Sequence, residues 1–252
     1  MDKESDATDE GNLSAIGFMF DFASSKQTLT FSAAQIQISL RTIGEQPGHL
    51  QSGQYLWPAA RFLAEHLVQN WSDLIADVVI ELGAGCGACG LVASALSGVK
   101  TVVLTDYDPG SIRLLEENIV LNERTKTEGC VLLARSLTWG SVGEYLDEVL
   151  QLVGDRSRLV IGSDLIYCKN VIPPLLETVK SLLDDMAIFV LAFSFDIGED
   201  SNTILLQTSS SLQLTITEII PYSSDLEEGG GKRILFITKA SVYDQIFDKS
   251  RE

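Results

Sequence analysis

The chain has 252 residues, a length that favours one α/β domain with a short extension over two full domains. Its net charge of −17 argues against a surface that binds nucleic acid through phosphate contacts. Such a charge would attract a basic partner, and solubility alone is the other explanation. With no leader pattern and no apolar run of about 18 residues, we expect no membrane segment. Four cysteines without a disulfide framework favour the reducing cytoplasm or nucleus.

The first quarter of the chain is predicted to be an extension in front of a larger domain. Residues 1–14 are acidic and polar, so we expect a disordered tail there. Residues 27–31 and 34–40 alternate apolar and polar side chains, a pattern typical of half-buried strands, and together they predict a hairpin. A helix is then predicted from Pro58, since proline suits a first helical position.

Beyond this extension, short apolar runs alternate with helical periods, as in a parallel sheet covered by helices on both faces. The predicted strands cover residues 78–82, 101–105, 131–134, 159–163 and 187–193. The predicted helices between them cover residues 88–96, 109–122, 142–152 and 171–183.

The last two apolar runs, residues 212–220 and 233–239, are joined by a glycine-rich loop with no helix between them. Such a direct connection requires an antiparallel pair, so one strand must be reversed. The sequence therefore predicts a doubly wound, mostly parallel, seven-strand α/β sheet with an antiparallel last strand. We expect this domain over residues 76–252, and the hairpin and helix of the extension over residues 15–75.

A glycine-rich segment follows the first strand of this domain. Glycines at Gly83 and Gly85 allow a tight turn and let a ligand approach the main chain. Because Gly85, Gly87 and Gly90 also match the dinucleotide fingerprint, the glycines alone leave a nicotinamide dinucleotide and S-adenosylmethionine both open. Glu81 favours S-adenosylmethionine, because a carboxylate suits the ammonium group of that ligand and would repel a pyrophosphate.

Asp106 ends the second strand, where a carboxylate can accept hydrogen bonds from ribose hydroxyl groups in either ligand. The extension before the glycines favours S-adenosylmethionine, because dinucleotide domains commonly start near their fingerprint.

Cys86 and Cys89 form a C-x-x-C pair inside the turn, which a redox or metal site could use. With no second pair and no histidine nearby, we interpret them as small packing residues and expect no metal.

A second cluster follows the fourth strand, at Ser163, Asp164 and Tyr167. Ligands bind at this edge of an open α/β sheet, and a carboxylate with a phenol can orient an amine and pack beside its alkyl stem. The alternative is that Asp164 caps a helix that begins near Lys169, or a turn before that helix.

Two tryptophans, Trp57 and Trp139, are open to two interpretations. Each could stack on an adenine at the cofactor pocket, or each could fill the edge of the core.

Together these residues resemble methyltransferase family 16, the seven-strand enzymes that methylate protein lysines. The matching elements are Gly53-x-x-Leu56-Trp57-Pro58, Glu81-Leu-Gly-Ala-Gly-Cys-Gly87, Thr105-Asp106-Tyr107, Asn118-x-x-x-Asn122, Leu137-x-Trp139 and Asp164-x-x-Tyr167. They occur in the family's order. One departure is Phe193-Ser194-Phe195, which stands where many relatives have a basic residue, so the resemblance leaves the substrate edge open.

The resemblance implies a Rossmann-like methyltransferase fold with S-adenosyl-L-methionine as its cofactor. It implies that Asp164 and Tyr167 face the substrate. The residues that it implies against the cofactor are Trp57, Glu81, Gly83, Gly85, Asp106, Trp139 and Ser163. The implied reaction is methyl transfer to a lysine side chain of a protein substrate. We also expect a monomer, without nucleic-acid or membrane partners. A small-molecule methyltransferase and a silent cofactor-binding scaffold protein are the alternatives.

Overall fold

A computed structural model describes residues 24–32, 34–43, 52–74, 76–140, 144–223 and 232–239. The predicted disordered tail over residues 1–14 and the glycine-rich loop around residue 230 lie outside the described residues. Within the part that is described, no helix is both long and apolar enough to cross a membrane.

Strands β1 (Ser24–Phe31) and β2 (Ile36–Ile43) pair antiparallel and confirm the predicted hairpin. Alternation of apolar and polar residues gives the hairpin one buried face, to which Ile38 and Leu40 contribute fully buried side chains. Helix α1 (Pro58–Leu74) follows and begins at the proline, as predicted.

The main sheet has seven strands, in the order β5-β4-β3-β6-β7-β9-β8. Their bounds are β3 (Val78–Glu81), β4 (Thr101–Asp106), β5 (Val131–Ser136), β6 (Arg158–Ser163), β7 (Ile188–Phe193), β8 (Leu214–Ser223) and β9 (Lys232–Lys239). The neighbours from β5 to β7 are parallel, while β9 runs antiparallel to both β7 and β8. The predicted sheet with one reversed strand is therefore confirmed. The reversed strand is β9, which lies between β7 and the edge strand β8.

Helices cover both faces of this sheet. They are α2 (Ala88–Ser94), α3 (Pro109–Leu121), α4 (Glu144–Val153), α5 (Ile172–Leu182) and α6 (Gly198–Ser211). Alternate residues of β3 serve opposite faces: Val79 packs with the core beneath α1, α2 and α3, and Ile80 with the core beneath α4, α5 and α6. Helix α6 is not among the predicted helices, because it buries only Leu205 and Ser209 and so has almost no apolar stripe.

Two asparagines one helical turn apart fasten the hairpin to α3. Asn118 Oδ1 accepts the N–H of Arg41 at 2.7 Å, and its Nδ2 donates to the Arg41 carbonyl at 3.0 Å. Asn122 makes the same pair of hydrogen bonds with Ser39, at 2.9 and 2.7 Å. Asn118 Nδ2 also donates to the Cys86 carbonyl in the glycine loop at 2.9 Å. The hairpin, α3 and the glycine loop are thus connected through one side chain.

We expect Asn118→Ala to lower the free energy of unfolding by about 1 to 3 kcal/mol, because the fully buried side chain is lost and the buried Cys86 carbonyl and the main chain of Arg41 lose its hydrogen bonds. Urea denaturation measures the change. The matched control is Val120→Ala on the same helix, where the side chain is 75% exposed and the change should stay within about 0.5 kcal/mol. Equal losses in the two variants would contradict the role given to Asn118.

Candidate active site

The carboxyl ends of five adjacent parallel strands, from β5 to β7, open into one cleft of about 660 Å³. The segment that follows each of these strands contributes to its lining. The strand order reverses between β3 and β6, and ligands of open α/β sheets bind at such a reversal. The cleft also has the size of a typical small-molecule site, about 300 to 1,000 Å³.

The glycine loop forms the wall of the cleft after β3. Gly83 and Gly85 both lie in the left-handed region, with φ of 56° and 54°. A β-carbon at Gly85 would fall on the Gly53 carbonyl oxygen, and one at Gly83 would lie 2.7 Å from Leu165 Cδ2. Gly85 has no room for a side chain, and a side chain at Gly83 would be strained by the left-handed backbone and would displace Leu165. The main chain is consequently exposed to whatever fills the cleft.

The two cysteines of the C-x-x-C pair are buried beside this loop. Burial raises the pKa of the Cys86 thiol to about 12 and that of the Cys89 thiol well above its ordinary value. Cys89 Sγ donates to the Ala60 carbonyl at 3.2 Å. Among the described residues, no group of three or more His, Cys, Asp or Glu side chains is arranged to hold a metal ion. The contacts of the pair are those of small packing residues.

Glu81 lies behind the glycine loop and is not part of the cleft lining. Its side chain is only 2% exposed, and its Oε2 accepts the N–H of Gly90 at 2.8 Å. Burial raises the pKa of this carboxyl to about 7, against the effect of the Gly90 hydrogen bond. The structure therefore places Glu81 as an anchor of the loop, and its direct contact with a cofactor stays a prediction.

Asp106 lines the cleft at the end of β4. Its Oδ2 accepts the N–H of Gly85 at 3.0 Å, and its Oδ1 accepts the N–H of Asp108 at 3.0 Å. Burial raises the pKa of Asp106, while these two hydrogen bonds act in the opposite direction. The carboxylate joins the glycine loop to the turn before α3, where Asp108 caps the helix by accepting the Ser111 N–H at 2.8 Å.

Asp164 stands at the end of β6 in a left-handed conformation, with φ of 52°. Its Oδ1 accepts the N–H of Ser194 at 2.8 Å. Its Oδ2 accepts the Ser194 hydroxyl at 2.7 Å and the N–H of Ala59 at 3.3 Å. Burial raises the pKa of Asp164, and the hydrogen bonds from Ser194 oppose that rise. A capping role thus exists, but the helix that Asp164 caps is α1 and not the one near Lys169.

Eight of the nine predicted site residues line this single cleft, and Glu81 is the exception. Tyr167 is 65% exposed at the mouth, where desolvation and the neighbouring Tyr107 raise the pKa of its phenol. Six further lining residues have no role assigned from the sequence: Gly53, Tyr55, Tyr107, Thr138, Asn170 and Phe195. Tyr107 and Phe195 closely follow strand ends, which is a usable signal, whereas nothing in the sequence singles out Asn170.

The residues present fit S-adenosylmethionine. Asp106 offers a carboxylate for hydroxyl groups, the exposed main chain at Gly85 permits close approach, and Trp139 offers a flat apolar surface. Carboxylates at Glu81, Asp106 and Asp108 surround the loop, so a cationic ligand is favoured over a pyrophosphate.

Comparison with known proteins agrees with this assignment. A family model for lysine methyltransferases matches residues 37–207. Protein N-lysine methyltransferase METTL21A of Mus musculus is 28% identical over 200 residues, which cover 77% of this chain and 82% of that protein. Protein N-terminal and lysine N-methyltransferase EFM7 of Candida glabrata is 33% identical over 168 residues, which cover 62% of this chain and 59% of the relative. The chain thus spans less than two thirds of the fungal protein.

Solved structures support the fold. Trm5b from Pyrococcus abyssi superposes with a TM-score of 0.53 at 13% identity, covering 86% of this chain and 56% of that one. A Streptococcus mutans protein described as a SAM-dependent methyltransferase gives a TM-score of 0.51 at 13% identity, covering 85% and 56%. Since the family model matches well over half of the sequence and the cleft fits the methyl donor, the chain belongs to the lysine methyltransferase family and uses S-adenosylmethionine.

Proposed function

We propose that this chain transfers a methyl group from S-adenosylmethionine to the ε-amine of a lysine in a protein substrate. The observation that carries the proposal is the Asp164 carboxylate, which is 8% exposed and lines the cleft. From the described residues it accepts three hydrogen bonds, one fewer than its roughly four acceptor positions. The lysine methyltransferase names of METTL21A and EFM7 support the same substrate class.

The open acceptor position on Asp164 follows from counting the hydrogen bonds that its two oxygens accept from the described residues. An ionised carboxylate has about four lone-pair positions, two on each oxygen. On Asp164, Oδ2 uses both of its positions for the Ser194 hydroxyl and the Ala59 N–H, and Oδ1 uses one for the Ser194 N–H. One position on Oδ1 is left, and we propose that it holds an N–H of the substrate amine.

When bound, S-adenosylmethionine supplies a methyl group whose bond to sulfur breaks as the amine nitrogen attacks, and a neutral thioether leaves. The protein therefore needs little acid catalysis, but it must provide a neutral amine held in line. A free lysine is almost wholly protonated at neutral pH, so its proton has to pass to solvent before transfer. The rate should accordingly rise with pH through the neutral and alkaline range.

Aromatic rings at the mouth suit the alkyl part of a lysine. Tyr107 and Tyr167 are both mostly exposed there, and Trp57 is also partly exposed in the lining. We propose that the methylene stem packs against the ring of Tyr167, which would exclude water and favour the uncharged amine. A basic segment around the target lysine would also be attracted by the net charge of −17.

We further propose that the enzyme acts as a monomer in the cytoplasm or nucleus, without nucleic-acid or membrane partners. All four cysteines are free thiols, as expected in a reducing compartment. The proposed organisation keeps an extension over residues 15–75 and a methyltransferase domain over residues 76–252.

Mass spectrometry of cell proteins incubated with the enzyme and isotopically labelled S-adenosylmethionine tests the substrate class. We expect the label on lysine side chains of one or a few proteins. Label at a protein N-terminus would match the second activity in the name of EFM7 and would replace lysine as the acceptor. Label found only on nucleic acid or on a small metabolite would contradict a protein substrate.

Cofactor binding is expected to quench the fluorescence of Trp57 and Trp139, because both tryptophans line the cleft. Trp71 provides a constant background, since its ring is buried and its Nε1 donates to the Ser97 carbonyl at 2.8 Å. Titration with S-adenosylhomocysteine measures the quench in the wild type and in a Trp57→Phe, Trp139→Phe double variant. An undiminished quench in the double variant would show that neither ring borders the cofactor.

A further inference from the structure

We propose that Ser194 is a positioning residue of the transfer reaction, because it holds the Asp164 carboxylate so that one lone pair of Oδ1 faces the substrate amine. This inference rests on the proposed function, in which Asp164 orients the amine. Ser194 does not act on the substrate; its effect passes through Asp164.

Ser194 donates hydrogen bonds to both oxygens of the Asp164 carboxylate. Its main-chain N–H donates to Oδ1 at 2.8 Å and its hydroxyl donates to Oδ2 at 2.7 Å. The third donor, Ala59, reaches Oδ2 only, at 3.3 Å. Two donors from one residue, aimed at two different oxygens, fix the rotation of the carboxylate plane, which a single contact to Oδ2 would leave free.

Pairing of the adjacent strands β6 and β7 brings Ser194 next to Asp164. Ser163 on β6 pairs with Ala192 on β7, and the N–H of Asp164 donates to the Ala192 carbonyl at 2.9 Å. Ser194 therefore stands beside Asp164 at the same edge of the sheet. Because the backbone of Asp164 lies in the left-handed region, which residues other than glycine adopt uncommonly, surrounding contacts help to hold it in place.

Loss of the Ser194 hydroxyl should have two consequences. The carboxylate loses a charge-assisted hydrogen bond, so its plane can rotate and the free lone pair is aimed at the amine less often. The pKa of Asp164, which burial already raises, should rise further because a hydrogen bond that lowers it is gone. Protonated Asp164 offers fewer acceptor positions, so activity should disappear at a higher pH than in the wild type.

The decisive experiment compares Ser194→Ala with the wild type at saturating cofactor, over a range of pH, using the lysine substrate found by mass spectrometry. We expect kcat to fall by about 10-fold to 100-fold, the range for a lost hydrogen bond to a charged group. The acidic limb of the kcat profile should move to higher pH. The Kd for S-adenosylhomocysteine should stay within about twofold, since the Ser194 side chain is not part of the cofactor wall.

Controls separate positioning from a general effect on the fold. Ser194→Thr keeps a hydroxyl and should restore kcat and the pH profile. Ser181→Ala removes an exposed hydroxyl that donates to the Glu177 carbonyl at 3.0 Å, and it should change neither. The other titratable side chains of the cleft are unchanged in every variant; they are those of Tyr55, Cys86, Asp106, Tyr107, Asp108 and Tyr167. If Ser194→Ala does not fold, Ser194→Cys serves with its weaker donor, and the same shifts are expected.

Two results have different meanings. Wild-type kcat and a wild-type pH profile in Ser194→Ala, together with an inactive Asp164→Asn, would overturn the role of Ser194 and leave the proposed function standing. A fully active Asp164→Asn would instead remove the basis of the proposed function itself.

Discussion

Replacing Asp164 by asparagine is expected to lower kcat by about 100-fold, the loss that misplacement of a reacting group can cause. The amide has one oxygen in place of two, so it cannot accept the hydrogen bonds from Ser194 and Ala59 at both positions. It is also neutral, so it attracts and orients the substrate amine more weakly than the carboxylate does. The Kd for S-adenosylhomocysteine should stay within about threefold, because the loss concerns the nucleophile and not the cofactor.

Steady-state kinetics and calorimetric titration of the same Asp164→Asn preparation measure these two quantities. Asp147→Asn is the matched control, because this exposed carboxylate on α4 carries the same charge away from the cleft. The control should retain wild-type kcat. An Asp164→Asn enzyme that turns over as fast as Asp147→Asn would show that Asp164 only caps α1.

Replacing Asp106 by alanine is expected to weaken S-adenosylhomocysteine binding by about 1 to 3 kcal/mol, or roughly 5-fold to 150-fold. A carboxylate placed for ribose hydroxyl groups is removed, and the N–H groups of Gly85 and Asp108 lose their acceptor. Both effects reduce affinity, and only the first depends on the hydroxyl groups of the ligand.

A ligand without ribose hydroxyl groups separates these two effects. Calorimetry with S-adenosylhomocysteine and with its 2′,3′-dideoxy analogue, on the wild type and Asp106→Ala, forms a double-mutant cycle. If Asp106 contacts the ribose, removal of the hydroxyl groups should weaken binding to the wild type much more than to the variant. The same ratio in both proteins would show that Asp106 serves only the glycine loop.

Much of the fold is predictable from the sequence because each strand of the parallel sheet contains a short run of apolar residues. β4 and β7, for example, are buried at every position. Helix α6 is not predictable in this way: of its 14 residues only two are buried, and tertiary packing determines its conformation. The position of β9 between β7 and the edge strand β8 cannot be predicted either, because apolar alternation indicates a strand but not its neighbours in the sheet.

The sequence locates residues of the cleft where they stand at the ends of strands. Asp106 ends β4 and Asp164 directly follows β6, and parallel strands end at a common edge, so both residues line the cleft. Their roles toward cofactor and substrate stay predictions. Glu81 shows the limit of such a prediction. Its residue type and spacing match the family, but its side chain accepts a hydrogen bond from Gly90 and does not line the cleft. The contacts of Asp164 with Ala59 and Ser194 join positions 105 and 30 residues apart. No local sequence pattern carries that information.

The asparagine pair on α3 has a consequence for the surface of the protein. Four residues along a helix advance about 6 Å, and two residues along a strand advance about 6.6 Å, so the two spacings nearly coincide. Asn118 and Asn122 therefore present amide groups to Arg41 and Ser39 as a neighbouring strand would. The outer edge of β2 is closed along this stretch by side chains of a helix. Along this stretch β2 offers no template on which a strand of another molecule could add, which protects this edge of the hairpin against edge-to-edge aggregation.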